Sequence, residues 1–264
     1  AGIPQSSVAV YAQAVDESKP LITHNASKSM NPASVMKLVT TYSALEALSP
    51  AYRWKTEVFR NGTLNNGVLE GDLIIKGYGD PSFRAQDFWR LLMAVQQAGI
   101  QKINGNLVID KTVFADEVST RSSFDDETWR AYNAMPSAFL VNGRSTSFKF
   151  TVQDGKVQVN QEFELPEIQI INQMKLRLNG CGDWRNYFSY VVTPKGEGAT
   201  VTFTGTFSAD CEERYLELSV LSDTQYAFYT FKKLWAQLGG QFNGQLQISS
   251  VPLIAQKILT QHSE

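Results

Sequence analysis

The residues with the clearest chemical potential are Ser34 and Lys37, which stand three positions apart. Side chains three apart on a helix share a face, with Cβ atoms about 5 to 6 Å apart, so a hydroxyl and an amine at this spacing can touch. A serine hydroxyl needs a neighbouring base to become a nucleophile, and an uncharged lysine can act as that base. The spacing therefore favours an acyl-transfer site, although an N-capping Ser34 with a solvated Lys37 is the alternative.

The sequence around this pair predicts the element that would hold it. Apolar residues recur at positions 35, 38, 39, 42, 45 and 48, ahead of Pro50, which is the spacing of an amphipathic helix. Ser34 would then lie at the helix N-terminus, where backbone N–H groups without helical partners can stabilise an oxyanion. Residues 7–16 alternate in polarity and, with residues 21–24, predict two strands before the helix.

Few other side chains are candidates for chemistry. Cys181 and Cys211 lie in a segment rich in Gly, Thr and aromatic residues, where paired strands are expected. We expect a disulfide that closes a loop of about 30 residues, which is typical of an extracytoplasmic protein; two reduced core thiols are the alternative. These cysteines, His24 and His262 have no spacing that predicts a metal site, and we expect both histidines to be structural.

Composition excludes several classes of protein. Hydrophobic residues are 43% of the 264-residue chain and charged residues 19%, which is typical of globular domains. A net charge of -2 provides no field that would attract nucleic acid or anionic lipid. No stretch reaches the ~18 apolar residues of a membrane span, and a sequence that begins at Ala1 without Met is interpreted as a processed soluble protein.

Beyond Pro50 the sequence predicts a mixture of strands and helices. Two Asn-Gly pairs, at 61–62 and 66–67, predict tight turns between strands. Helices are predicted over 86–98, 224–238 and 252–264, and strands over 105–110, 147–207, 216–221 and 245–248. This order suggests a first domain that is interrupted by an α+β insert, which is itself interrupted by a β-rich module.

Around the candidate pair the sequence reads Asn31-Pro32-Ala33-Ser34-Val35-Met36-Lys37-Leu38-Val39-Thr40. This run resembles the active-site segment of the class C low-molecular-mass penicillin-binding proteins, the PBP4-type D-alanyl-D-alanine carboxypeptidases/endopeptidases of peptidase family S13. Other runs resemble the insert of the same family and extend the resemblance over essentially the whole chain: Tyr52-Arg53-Trp54-Lys55-Thr56, Gly79-Asp80-Pro81, Phe114, and residues 66–73, 103–110 and 134–138.

The resemblance implies an α+β fold, in which part of a serine β-lactamase/DD-peptidase-like catalytic domain carries a nested α+β insert and a β-rich module. The domains expected from it are residues 1–50 plus 249–264 for the catalytic part, 51–146 plus 212–248 for the α+β insert, and 147–211 for the β-rich nested domain.

The resemblance also implies a periplasmic serine DD-peptidase that acts on peptidoglycan peptides, forms an acyl-enzyme on Ser34, uses Lys37 as proton acceptor, is acylated by β-lactams and needs no cofactor. The Ser-x-Asn and Lys-Thr-Gly motifs of related enzymes do not occur in a matching context. We therefore expect catalysis to require a C-terminal remainder of the catalytic domain. A non-catalytic cell-wall binding or scaffold fragment is the alternative.

Acidic residues later in the sequence are candidates for substrate binding. Asp125, Asp126 and Glu127 form an acidic run followed by Tyr132. The resemblance implies that this run lies where the family's insert approaches the active-site cleft and contacts the amino group of a peptidoglycan side chain. A solvated acidic loop is the alternative for these residues. Asp80, between Gly and Pro, is expected to be a turn residue.

Overall fold

The computed structural model describes residues 2–115 and 127–263, and it contains two compact units, Ala1–Tyr52 and Arg53–Glu264. In the described residues the helices are α1 (Met36–Leu48), α2 (Ala85–Gln97) and α3 (Asp223–Gln237). The strands are β1 (Val10–Ala12), β2 (Ile22–His24), β3 (Lys55–Asn65), β4 (Val68–Gly77), β5 (Lys102–Ile103), β6 (Leu107–Asp110), β7 (Thr146–Gln153), β8 (Lys156–Gln161), β9 (Ile168–Arg177), β10 (Phe188–Lys195), β11 (Gly198–Ser208), β12 (Arg214–Leu218), β13 (Gln241–Phe242), β14 (Leu246–Ile248) and β15 (Gln256–His262). The predicted α+β class is confirmed.

The first unit contains the two strands and the helix that the sequence predicts. Strands β1 and β2 pair antiparallel, with Val10 opposite His24 and Ala12 opposite Ile22. A 3-10 turn over Ala33–Val35 leads directly into α1, and Ser49 is the C-cap residue of this helix. None of the described residues of this unit is buried, including the apolar residues of α1.

The second unit contains a mixed sheet in the order β13-β5-β4-β3-β15, and β6 pairs with β4 on one side and β14 on the other. The segment from β4 through α2 to β6 makes a parallel crossover, with Leu73 of β4 opposite Leu107 of β6. Helix α2 buries Phe88, Leu91, Leu92 and Val95, whose spacing of three and four defines one face of the helix. These side chains and those of α3 form one core cluster with the sheet residues Val58, Ile75 and Ile109.

The β3–β4 hairpin shows why one Asn-Gly pair makes a turn and the other does not. Asn66 and Gly67 have φ of 47° and 81° and connect Asn65 directly to Val68, as a two-residue turn requires. The predicted turn at residues 61–62 is wrong, because Gly62 lies inside β3 opposite Gly71. A Cβ at Gly62 would lie 2.2 Å from the backbone oxygen of Glu70, so this glycine is needed for close approach of the two backbones.

The helix predicted over residues 252–264 is also wrong. Residues 256–262 form β15, which pairs antiparallel with the first half of β3, with a register shift between Lys257 and Leu259. The apolar spacing of this segment fits either structure, and pairing satisfies backbone groups that β3 would otherwise leave at an open sheet edge. The domain division predicted from the sequence, which assigns this segment to the catalytic part, stays a prediction.

Residues 146–218 form two further sheets, in the orders β12-β7-β8 and β10-β11-β9. Aromatic side chains fill the space between them, because Phe148, Phe150 and Phe203 alternate inward along their strands and are fully buried. Their ring centroids are 5.2 to 5.3 Å apart in edge-to-face contacts. The β-rich character predicted for this part of the chain is confirmed.

Candidate active site

Ser34 and Lys37 contact each other at the start of α1. Ser34 lies in the 3-10 turn and Lys37 is the second residue of the helix. Lys37 Nζ donates a hydrogen bond to Ser34 Oγ over 3.2 Å. The same separation suits the reverse transfer, in which the hydroxyl gives its proton to an uncharged amine.

The residues before Ser34 determine how the chain enters the helix. Asn31 Oδ1 accepts a hydrogen bond from the backbone N–H of Ala33 over 2.9 Å, and Val35 N–H donates to the backbone oxygen of Pro32. Ala33 has φ of 44°, a left-handed conformation that an alanine rarely adopts. Backbone strain of this kind, held by local hydrogen bonds, is frequent beside reactive groups.

The helix that carries Lys37 presents apolar side chains to solvent. Leu38, Val39 and Tyr42 are 73%, 59% and 66% exposed. The predicted helix is present, but its apolar residues are exposed and do not form a single apolar face.

Of the predicted substrate-binding residues, Glu127 and Tyr132 lie in the other unit. Asp125 and Asp126 fall outside the described residues. Glu127 Oε2 accepts hydrogen bonds from Arg130 Nε over 3.4 Å and from Tyr190 Oη over 3.3 Å. Tyr132 lies in the adjacent 3-10 turn and is 66% exposed. The structure thus brings Ser34 and Lys37 into contact in the first unit. Glu127 and Tyr132 belong to the second unit, where they are five positions apart in the sequence.

Tyr190 is a neighbour of Glu127 that sequence reasoning missed. Burial raises the pKa of Tyr190 to about 12, and the negative charge of Glu127 adds to the rise. The two residues line a cavity of about 420 Å3, together with Arg130 and Arg185. No local signal links Glu127 to a tyrosine 63 positions away on β10, so only the fold could bring them together.

The remaining candidates have structural contacts. Cys181 and Cys211 form the predicted disulfide. Asp80 Oδ1 accepts hydrogen bonds from the backbone N–H and the hydroxyl of Ser82, which confirms its role as a turn residue. His24 Nε2 lies 3.3 Å from the backbone oxygen of Gln5, and His262 pairs with Lys55 in the sheet.

The described residues offer neither a metal-binding cluster nor a membrane-spanning helix. Residues 2–115 and 127–263 contain no group of three or more His, Cys, Asp and Glu side chains that could hold a metal ion. No helix in these same ranges has both the length and the apolar character needed to cross a membrane.

Comparison with known proteins identifies relatives over the whole chain. The profile of the D-Ala-D-Ala carboxypeptidase 3 (S13) family matches residues 1–264. The D-alanyl-D-alanine carboxypeptidase DacB of Haemophilus influenzae is 25% identical over 260 residues, which are 97% of this chain and 53% of that protein.

Solved structures share the fold. The crystal structure of penicillin binding protein 4 (dacB) from Haemophilus influenzae aligns with a TM-score of 0.78 and 24% identity, over 97% of this chain and 56% of that one. The same protein complexed with a novel β-lactam aligns with a TM-score of 0.71 and 23% identity, over 96% of this chain and 54% of that one. The chain thus spans about half the length of the relatives that it matches.

Proposed function

Since this chain belongs to the D-Ala-D-Ala carboxypeptidase 3 (S13) family, we propose that the whole protein is a serine DD-peptidase whose nucleophile is Ser34 and whose general base is Lys37. The observation that carries the proposal is the 3.2 Å contact between Lys37 Nζ and Ser34 Oγ at the start of a helix. The names of the relatives support the reaction class, because the DacB protein is a D-alanyl-D-alanine carboxypeptidase.

The proposed reaction is an acyl transfer in two stages. Ser34 Oγ attacks the carbonyl carbon of the bond between two D-alanines while its proton passes to Lys37 Nζ. The C–N bond breaks, the leaving amine takes the proton from Lys37 Nζ, and the acyl group stays on Ser34 as an ester. Water then attacks the ester carbonyl and gives a proton to Lys37 Nζ. The bond between the acyl carbon and Ser34 Oγ breaks, the peptide leaves as a carboxylic acid, and Ser34 Oγ takes the proton back. General-base catalysis requires a base within hydrogen-bond reach of the attacking oxygen, and Lys37 Nζ meets this requirement for Ser34 Oγ.

A β-lactam would acylate the same hydroxyl. Attack on the ring carbonyl opens the lactam, and the released amine stays tethered to the acyl group, which disfavours its departure. The solved relative complexed with a β-lactam supports β-lactam binding by the present protein. The proposed setting is the periplasm, supported by the disulfide and by membership of a D-Ala-D-Ala carboxypeptidase family.

The chain would act together with the other half of the catalytic domain. Each relative is about twice as long as this chain, and the exposed apolar side chains of α1 are the proposed contact for that second half. Residues 1–50 plus 249–264, 51–146 plus 212–248, and 147–211 are the proposed domains. Loss of a single oxyanion donor typically lowers turnover by about 100- to 1,000-fold, so the isolated 264-residue chain should react slowly with penicillin.

Mass spectrometry of the whole protein treated with penicillin tests the nucleophile. We expect one covalent adduct on the peptide that contains Ser34 and no adduct in Ser34→Ala. Ser43→Ala, on the same helix, is the matched control and should be acylated at the wild-type rate. An adduct on any other residue, or an adduct that persists in Ser34→Ala, would contradict the proposal.

The proposed base is tested by the rate of acylation. Lys37→Ala should acylate about 100- to 10,000-fold more slowly, the range typical of general-base catalysis, whereas Lys19→Ala should match the wild type. Wild-type acylation in Lys37→Ala would exclude Lys37 as the base.

Asp125, Asp126, Glu127 and Tyr132 are the proposed substrate-binding residues. The support for Glu127 is its carboxylate in the wall of a cavity, held by Arg130 and Tyr190. Glu127→Gln should lower the preference for a peptide with a free side-chain amine over the same peptide acetylated, and Glu162→Gln should leave that preference unchanged.

A further inference from the structure

A cavity of about 500 Å3 lies between the edges of two sheets in the unit Arg53–Glu264. Strand β8 ends the sheet β12-β7-β8, and β9 ends the sheet β10-β11-β9. The walls are the start of β8 with its preceding turn, residues 155–158, and the later part of β9, Asn172 and residues 174–176. Among the described strands each of these two edges pairs on one side only, so the cavity opens between two free strand edges.

The ladder between β9 and β11 fixes which main-chain groups of β9 face the cavity. The backbone N–H of Ala199 donates to the backbone oxygen of Glu167 over 3.0 Å, so the odd-numbered residues of β9 bond to β11 in this parallel ladder. Met174 and Leu176 are even-numbered and direct their N–H and C=O groups away from β11. Both residues line the cavity, which therefore presents main-chain donors and acceptors at the edge of β9.

Asn172 shows how a polar group fits between the two edges. Its side-chain Nδ2 donates a hydrogen bond to the backbone oxygen of Val157 over 2.8 Å, and its Oδ1 accepts one from the backbone N–H of Met174 over 3.1 Å. One amide thus occupies the position that a strand between β8 and β9 would have. A peptide group carries the same kinds of donor and acceptor, so an extended peptide would continue this pattern along Leu176.

The charged residues of the lining are Lys156 and Lys175, and both are exposed. The lining contains no acidic residue, and within the described part of the chain neither lysine forms an ion pair. The two positive charges at this cavity are therefore available to a partner. Charge complementarity of this kind favours an acidic one.

Three other residues of the lining are apolar. Val157 is 5% exposed, and Met174 and Leu176 are half-buried. Successive side chains of an extended peptide point to opposite sides. Apolar residues at alternate positions of such a peptide can therefore contact this part of the lining, while acidic residues between them reach the lysines.

We propose that this cavity binds an extended acidic segment of a partner protein, in which glutamate or aspartate alternates with apolar residues. The segment adds as a strand to the free edge of β9, bonded to the C=O of Met174 and the N–H of Leu176, with its carboxylates beside Lys156 and Lys175. In strand addition of this kind, main-chain hydrogen bonds provide affinity and alternate side chains provide specificity. The proposal is independent of Ser34 and of the proposed peptidase reaction.

Fluorescence anisotropy of the labelled hexapeptide Glu-Val-Glu-Val-Glu-Val, blocked at both ends and titrated with the whole protein, tests this assignment. One control peptide has glutamine in place of glutamate and lacks the charges. A second keeps glutamate but is N-methylated at every residue and lacks the main-chain donors. Each control should bind at least about fivefold more weakly than the acidic peptide.

Two variants locate the bound peptide. Lys156→Gln combined with Lys175→Gln should bind the acidic peptide at least about fivefold more weakly, whereas Lys195→Gln, outside the cavity, should match the wild type. Leu176→Pro removes the N–H that faces the cavity, in an edge strand where proline is tolerated, and should bind more weakly than Leu176→Ala, which keeps that N–H.

The outcomes separate strand addition from attraction by charge alone. If circular dichroism shows that Leu176→Pro does not fold, the N-methylated peptide decides whether the main chain is bound. Equal affinity for the acidic and glutamine peptides, equal affinity for the acidic and N-methylated peptides, wild-type affinity in the double lysine variant, or no binding at all would each overturn the proposal.

Discussion

Glu57 offers a direct test of how one buried carboxylate stabilises the sheet. The residue is 5% exposed and accepts hydrogen bonds from Lys257 Nζ over 2.7 Å, Tyr78 Oη over 2.5 Å and Lys55 Nζ over 3.3 Å. Burial raises the pKa of this carboxyl, but the hydrogen bonds from Lys257, Tyr78 and Lys55 outweigh burial and lower the pKa from 4.5 to about 2. Lys257 lies on β15 and Glu57 on β3, so the carboxylate links two neighbouring strands.

The pKa gives the size and the sign of the effect. A carboxyl whose pKa falls from 4.5 to about 2 on folding contributes about 3 kcal/mol to the free energy of unfolding at pH 7. The contribution is fully present above pH 4.5, falls to about 1 kcal/mol at pH 3 and is nearly lost below the folded-state pKa. Both lysines are partly exposed, which makes about 3 kcal/mol an upper value.

Urea unfolding of Glu57→Gln and the wild type at pH 7, 5 and 3 measures this contribution. We expect the variant to be less stable by about 1 to 3 kcal/mol at pH 7 and pH 5, with the difference falling by more than half at pH 3. Glu162→Gln, an exposed site, is the control and should change stability by less than about 0.5 kcal/mol. A Glu57→Gln difference that stays constant from pH 7 to pH 3 would refute the linkage argument, because glutamine does not titrate.

Three further outcomes follow from the packing and the covalent structure. Gly62→Ala should destabilise the protein by at least about 2 kcal/mol in urea unfolding, since its Cβ would lie 2.2 Å from the Glu70 backbone oxygen, whereas Gly155→Ala, with open space around it, should cost less. Cys181→Ser with Cys211→Ser should lower the free energy of unfolding by about 2 to 4 kcal/mol, and equal stability with and without reductant in the wild type would contradict this. Phe150→Ala should cost about 3 to 5 kcal/mol, measured in the same way, because the side chain is fully buried; a cost below about 1 kcal/mol would contradict the packing.

Local signals in the sequence predicted much of the fold correctly. Helix α3 begins with a capping box, in which Ser222 and Gln225 exchange hydrogen bonds at the N-terminus of the helix. Gly239 follows the end of the helix and has a positive φ. The turn at Asn66-Gly67 depends only on two residues that accept positive φ. Such features are decided within a few residues, so a pattern can predict them.

Features that depend on distant partners were missed. Residues 256–262 form a strand because β3 offers an unpaired edge, and nothing local distinguishes this from a helix. Gly62 lies opposite Gly71 because of the register in which β3 and β4 pair. The Asn61-Gly62 dipeptide alone carries no information about that register. In the candidate site, the spacing of Ser34 and Lys37 predicted their contact, while the hydrogen bond from Tyr190 to Glu127 required the fold.

The pairing of β3 with β15 has a consequence for protein engineering. His262 lies opposite Lys55, and the backbone N–H of Ser263 donates to the backbone oxygen of Trp54 over 2.9 Å. Neighbouring strands are about 4.8 Å apart, so the two ends of this unit could be joined by a short linker with little rearrangement. A circular permutant of residues 53–263 that is joined at 53 and 263 and opened at the Asp154-Gly155 turn should keep the pairing of β3 with β15.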